Sequence, residues 1–272
     1  MNVHREGFLA SLALGLLSCG MIAPSAAQNA LPGLAGIDPI AIEDLVAANR
    51  ILANERVLDG FGHVSIRDPR NPNRYLIARS VAPALVTADD ILVADLDSNI
   101  IDAKGRNSYK ERFIHGEIYK VRPDVMAIIH SHSPTIVPFS VTKVPLKPIL
   151  HNAAFLGAGP PVFEIREADG GGMATNLLVE TPALGKAIAK SLGRSQIVLM
   201  RGHGNTVVGP NVRLATYWAI YAEINARQLA TALALGGPIV YLEGREAEET
   251  DKNMRGAYER PWQLWKAEAM RK

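Results

Sequence analysis

Two histidines stand one residue apart in "AIIHSHSPT", Ala127 to Thr135, closing an apolar run in a chain with seven histidines. A buried imidazole needs hydrogen-bond partners, and two adjacent rings need twice as many. A shared metal ion meets that need. In an extended strand residues i and i+2 point to one side, so His130 and His132 would aim into one pocket while Ser131 faces away. A third histidine, His203, follows a second apolar run in "VLMRGHGNTVVG". Gly202 and Gly204 flank it and permit tight turns and close backbone approach. Taken singly, H-x-H can be structural and R-G-H-G can be a turn. Together, each at the exit of an apolar strand, they predict a three-imidazole site with at least one position open to substrate. Zinc suits such a site best; manganese and iron are also compatible.

Chemistry beside a metal needs an acid or base. Glu111 opens the helical stretch that precedes the His130 strand. "SYKE" is also a capping box, with Ser108 as N-cap and Glu111 at N3. Spacing does not choose between cap and catalyst, nor does it exclude Glu117 or Glu164. His115, one helical turn after Glu111, shares its face and reads as a supporting or core histidine rather than a ligand. Arg79 and Arg201 are candidate cations for a substrate carboxylate, because a guanidinium fork matches that group. Arg260 reads as a salt-bridge residue. Ser65 and Arg67 alternate along "GHVSIRD" as pocket or edge residues. Tyr217, Trp218 and Tyr221 read as subunit packing rather than a binding cage.

The elements that must position these residues follow from local pattern. Asp38 caps a helix starting at Pro39. "GHVSIRD", "RYLIA" and "DDILVADLD" read as strands. "SYKERFIHGEIYKVRPD" is helical and stops before Pro123. "VMAIIHSH" is a buried strand, "PVFEI" a short one, and "PALGKAIAKSLG" a helix closed by Gly193. "QIVLMRGHG" is a strand running into a glycine turn, and the helix from Val212 ends at Gly236 and Gly237. Irregular alternation of strands and helices predicts an α/β domain with helices covering a mixed sheet.

The chain has 272 residues, nearly half of them hydrophobic, enough for one large core. Its formal charge is +2, and acids and bases are interspersed. With no basic stripe, a nucleic-acid partner is not expected. Residues 1–27 read as a secretory signal peptide: Arg5, the apolar "FLASLALGLL" and small residues before Gln28. Residues 28–40 form a linker and 41–272 the catalytic domain. A periplasmic or secreted protein follows, with no stable membrane span after processing. The alternative is a lipoprotein anchored through Cys19, the one cysteine. In either case neither thiol catalysis nor a disulfide scaffold is available to the mature chain.

The motifs "GHVSIR", "YKERFIHGEIY", "RPDVMAIIHSHSP" and "MRGHGNTVVG" together resemble the class II aldolase/adducin superfamily over roughly residues 42–235. The resemblance implies an αβα sandwich around a mixed sheet, a homotetramer with sites near subunit interfaces, and a divalent metal held by His130, His132 and His203. It places the family's catalytic glutamate on Glu111. The phosphate-binding residues of the sugar-phosphate aldolases are missing. Gly62-His63, "RSVAPALV" and Tyr109-Lys110 stand where that subgroup has small hydroxyl and amide donors, although Lys110 or Arg79 could still attract an anion. With the closing "ERPWQLWK", the pattern is most similar to the branch that decarboxylates carboxylated hydroxymuconic semialdehydes and dihydroxyphthalate.

Retro-aldol cleavage and decarboxylation share one step, in which a carbon–carbon bond breaks and leaves its electron pair on carbon. A divalent metal on the adjacent oxygen stabilises that pair as an enolate. The expected site is therefore Glu111 for proton transfer, helped by Tyr109 or His63, with His63, Ser65, Arg79 and Ser80 contacting a small-molecule carboxylate. Glu111 near a dication stays ionised, so it acts as an acid only if partly desolvated. The alternatives are an aldolase for an unphosphorylated substrate, a non-haem iron oxygenase, and an adducin-like binding module; the complete histidine set argues against the last.

Overall fold

The computed structural model describes Met1 and residues 34–101, 103–168 and 172–271. The signal-peptide and Cys19 expectations, and most of the linker, fall outside these residues. Among the described residues no helix is long and apolar enough to cross a membrane.

Residues 31–272 are built on one eight-stranded sheet. Its strands are β1 (His63–Arg67), β2 (Arg74–Ala78), β3 (Ile91–Asp95), β4 (Ile100–Ile101), β5 (Ala127–Ser131), β6 (Val162–Phe163), β7 (Ile197–Met200) and β8 (Gly204–Gly209). They lie in the order β4-β3-β2-β1-β5-β8-β7-β6. Every pairing is antiparallel except β6 with β7, so the sheet is mixed, as expected.

The period of two sends alternate residues to opposite faces. Val64, Ile66, Leu76, Ala127, Ile129, Ile197 and Leu199 enter one core with α1 (Pro39–Asn54), α5 (Val212–Leu235) and α7 (Glu259–Ala269). Tyr75, Ile77, Ile128, Val198 and Met200 enter another with α2 (Phe113–Val121) and α4 (Pro182–Leu192). The result is the αβα sandwich. Short α3 (Val137–Ser140) and α6 (Gly244–Met254) complete the α-helices of the described residues.

Several expectations hold in detail. Asp38 caps α1 by accepting from the Ile40 N–H, Thr181 caps α4, and Gly193 closes α4 with φ +53°. Others are extended or corrected. The glycine turn expected after β7 is present at residues 201–203, but the residues after it, to which the local pattern assigned no element, form β8, an interior strand between β5 and β7. The helix from Val212 ends at Gly236 as expected, and two helices to which the local pattern gave no reading follow it. Tyr217 and Trp218 are buried within this chain's own core, where the Trp218 ring stacks on Phe155 at 5.4 Å and Tyr217 accepts from Asn152. Arg67 is neither pocket nor edge: its guanidinium donates to the carbonyls of Val125, Pro72, Tyr119 and Arg122.

Candidate metal centre

β5 and β8 pair with His130 opposite Thr206, and β1 pairs with β5 with His63 opposite His130. These registers bring both predicted histidine motifs to one end of the central strands. β5 ends at Ser131, so His132 lies one residue beyond it, and its ring still meets that of His130 at 5.1 Å. The turn between β7 and β8 delivers His203. Gly202 there has φ +64°, a conformation L side chains rarely adopt, and a Cβ on Gly204 would stand 2.0 Å from the Ser131 carbonyl oxygen. Both glycines therefore have the roles predicted for them.

Glu111, His130, His132 and His203 each offer one ligand atom, and these atoms all lie within 4.8 Å of one another. The Nε2 atoms of His132 and His203 are 3.0 Å apart. Glu111 Oε2 is 3.5 Å from Nε2 of both His130 and His203. His130 is fully buried, yet neither of its ring nitrogens has a hydrogen-bond partner. Such orphaned polar atoms are rare and costly in a protein interior. Four convergent donors of N₃O type around an orphaned imidazole fit a divalent ion.

The ligands are aimed by groups that the sequence does not reveal. Leu177 has φ +67° and turns its carbonyl onto His203 Nδ1 at 2.9 Å, which leaves Nε2 facing the cluster. Two residues later the Val179 N–H donates to Glu111 Oε1 at 2.9 Å. One irregular segment thus orients two members of the cluster. On the other side Glu223 is buried and accepts from the Ser133 hydroxyl, the Thr135 hydroxyl and the Thr135 N–H. That clamp fixes the turn carrying His132.

The cap reading of Glu111 is overturned. Ser108 forms a bridge with Arg79 and donates its hydroxyl to the Ala78 carbonyl, the helical turn at Lys110–Arg112 starts from Tyr109 with no side-chain cap bond, and α2 begins only at Phe113. Burial pushes the Glu111 carboxyl upward, but His130 and His203 outweigh it and hold the group well below the usual carboxylate range. His132 is held down to about 4 by burial and then by its neighbouring rings, so it is neutral and keeps a lone pair. In His203 burial lowers the pKa, but the Glu111 contact prevails and raises it.

A cleft of about 610 Å³ opens beside the cluster, and His63, Ser80, Tyr109, Lys110, Glu111 and His132 are among its lining residues. Of the expected substrate contacts, His63 and Ser80 are on this cleft. Ser65 is fully buried behind His63, and Arg79 pairs with Asp90 at 2.5 Å outside the cleft lining. Lys110 is exposed and has no carboxylate partner among the described residues. Tyr109 donates to the Val81 carbonyl, and burial pushes its phenol up to about 12. Arg201 and Glu164 pair with each other, as do Glu117 and Lys120. His115 is buried and bonds to His63 and Ser65, the supporting position expected for it.

Residues 43–230 match the model of the Class II Aldolase and Adducin N-terminal domain. The chain belongs to that family. Decarboxylase tropJ of Talaromyces stipitatus is 32% identical to it over 83% of this chain and 92% of the relative. The 3,4-dihydroxyphthalate decarboxylase of Arthrobacter keyseri is 27% identical over 76% and 84%. Among solved structures, an L-fuculose 1-phosphate aldolase from Glaciozyma antarctica superposes with TM-score 0.67 at 26% identity, covering 84% of this chain and 89% of that one. The expected superfamily and its decarboxylase-like branch are thus shown, and a lyase is the coarse activity that these relatives support.

Proposed function

We propose that this protein is a divalent-metal-dependent decarboxylase of a small hydroxylated acid, of the hydroxy-carboxymuconic semialdehyde or dihydroxyphthalate class. The observation that carries the reading is the orphaned His130 ring inside a four-residue cluster, beside a cleft whose unpaired cation is Lys110. The names of the relatives supply the reaction class. His130, His132 and His203 would hold the ion, with zinc preferred, and Glu111 stands beside them as the group left to carry a proton. When bound, the ion supplies a Lewis acid for the oxygen next to the carbon that takes up the electron pair.

The protein's own groups do the rest. Lys110 attracts a substrate carboxylate at the mouth. Glu111, ionised at rest and aimed by Val179, takes the proton of a substrate hydroxyl and then delivers it to the carbon that loses CO₂. A group that receives the proton before giving it can start ionised, which removes the objection to Glu111 as acid. Tyr109 keeps its proton on Val81 and serves as a cleft wall against the His63 ring, at 4.6 Å. We also propose an exported tetramer, on the strength of the leader pattern and the family resemblance.

The test is a panel of carboxylated hydroxymuconic semialdehydes and dihydroxyphthalates, given to zinc-, manganese- and iron-loaded protein. One CO₂ per substrate without oxygen uptake is expected. Release of an aldehyde without CO₂, or consumption of oxygen, overturns the reading. In Glu111→Gln the expected loss of turnover is about 10²- to 10⁴-fold, the usual scale of general acid–base catalysis.

A further inference from the structure

Behind the cleft runs a buried chain of polar groups. His63 Nδ1 lies 2.7 Å from His115 Nε2, His115 Nδ1 lies 2.6 Å from Ser65 Oγ, and Ser65 Oγ lies 2.9 Å from the Tyr119 hydroxyl. All four residues are buried, and among the described residues no carboxylate hydrogen-bonds to either ring. A lone charge there would be costly, so both imidazoles are neutral. Each neutral ring carries one N–H and one lone pair, and the neighbouring groups decide which nitrogen holds the proton.

The chain has only one consistent direction. The Tyr119 hydroxyl has one partner, Ser65 Oγ, so a satisfied Tyr119 must donate to it. Ser65 then has its own proton left for His115 Nδ1, which must accept. The His115 proton is consequently on Nε2 and goes to His63 Nδ1. The His63 proton is left on Nε2, on a residue that lines the cleft. In the reverse direction Tyr119 would receive a hydrogen bond and keep a buried hydroxyl proton with no acceptor, a cost of the kind proteins avoid.

We infer that Tyr119, Ser65 and His115 are positioning residues that fix His63 as a hydrogen-bond donor to the cleft, so that the site selects substrates presenting an acceptor oxygen there. With its Nε2 protonated, His63 is barred from serving as a fourth imidazole for the ion. The identity of the acceptor, a carboxylate or enolic oxygen of the acid, rests on the decarboxylase reading; the direction of the chain does not.

The experiment is long-range ¹H–¹⁵N spectroscopy of zinc-loaded, ¹⁵N-histidine-labelled protein without substrate. A proton on Nε2 of both His63 and His115 is expected. A proton on Nδ1 of His63, or coordination of zinc by that ring, overturns the inference. In Ser65→Ala the bias is removed, and both rings are expected to shift toward mixed tautomers. The KM for an acidic substrate should rise about tenfold, the scale of one hydrogen bond to a charged group, with a smaller change in kcat. Unchanged ring shifts in Ser65→Ala overturn the positioning role. Expected spectra in a protein that decarboxylates nothing would sink the functional reading and leave the chain standing.

Discussion

At one end of β1, Arg67 spends its guanidinium on four backbone carbonyls, and the Tyr119 ring lies 4.6 Å beneath it. At the other end, His63 stands opposite His130, whose two ring nitrogens have no hydrogen-bond partner. Both ends bury strongly polar side chains against α2. The first satisfies them within the protein, and the second leaves lone pairs converging on one point. A saturated buried polar group is there to hold the fold, whereas an unsaturated and convergent one is held by the fold for something else.

His130→Ala should separate the two ends most sharply. Turnover is expected to fall by about a thousandfold or more, equivalent to ~4 kcal/mol of barrier, and zinc content by elemental analysis should fall with it. Stability of the metal-free protein should change by about 1 kcal/mol at most, because losing two unpaired polar atoms offsets the lost packing. A metal-free protein that unfolds on this change would make His130 a structural histidine like Arg67.

Arg67→Met should give the converse result. Four carbonyls lose a charged donor, and we expect about 3 kcal/mol of destabilisation by chemical denaturation. Zinc bound per folded molecule should stay at the wild-type value. Parallel loss of zinc would show that the two ends of β1 are not independent.

Gly204→Ala tests the link between sheet and site. The added methyl meets the Ser131 backbone oxygen at 2.0 Å, so β5 and β8 must separate. About 2 kcal/mol of destabilisation is expected from such overpacking, together with weaker zinc binding, because His132 lies just after β5 and His203 just before β8. Unaltered zinc affinity would show that the ligands sit on more adaptable loops than the register implies.

How legible these features were depended on how local their causes were. β1, β2 and β5 announce themselves through apolar alternation or apolar runs, and α1 and α4 through caps and prolines. The three histidines could be found because each stands at the exit of an apolar run, His130 and His132 at the end of β5 and His203 after β7. β8 was hidden because Gly204 and Gly209 bracket it and Asn205 and Thr206 lie within it; strand pairing on both sides, not local propensity, makes it a strand. Ser108 looked like a cap until its pairing with Arg79 claimed it. Arg79 looked like an anion site, but Asp90, eleven residues on, neutralises it, while Lys110 carries the free charge. Val179 and Leu177 act on Glu111 and His203 from an irregular segment with no periodic signal, and Glu223 reaches Ser133 across 90 residues.

Glu223 gives the finest test of the comparison, because it has features of both ends. Like Arg67 it is buried and saturated; unlike Arg67 it holds the turn that carries a ligand. Glu223→Gln keeps one acceptor oxygen but loses the charge that Ser133 and Thr135 share. If the clamp serves the site, zinc affinity should weaken about tenfold, the lower end of what groups supporting a metal ligand contribute. Metal-free stability should then fall by only about 1 kcal/mol, since the hydroxyls can find other partners. If instead stability falls while zinc affinity holds, Glu223 belongs with Arg67. His132 would then be aimed by the end of β5 alone, and the division between fold-holding and ion-holding polar groups would run between Ser133 and His132.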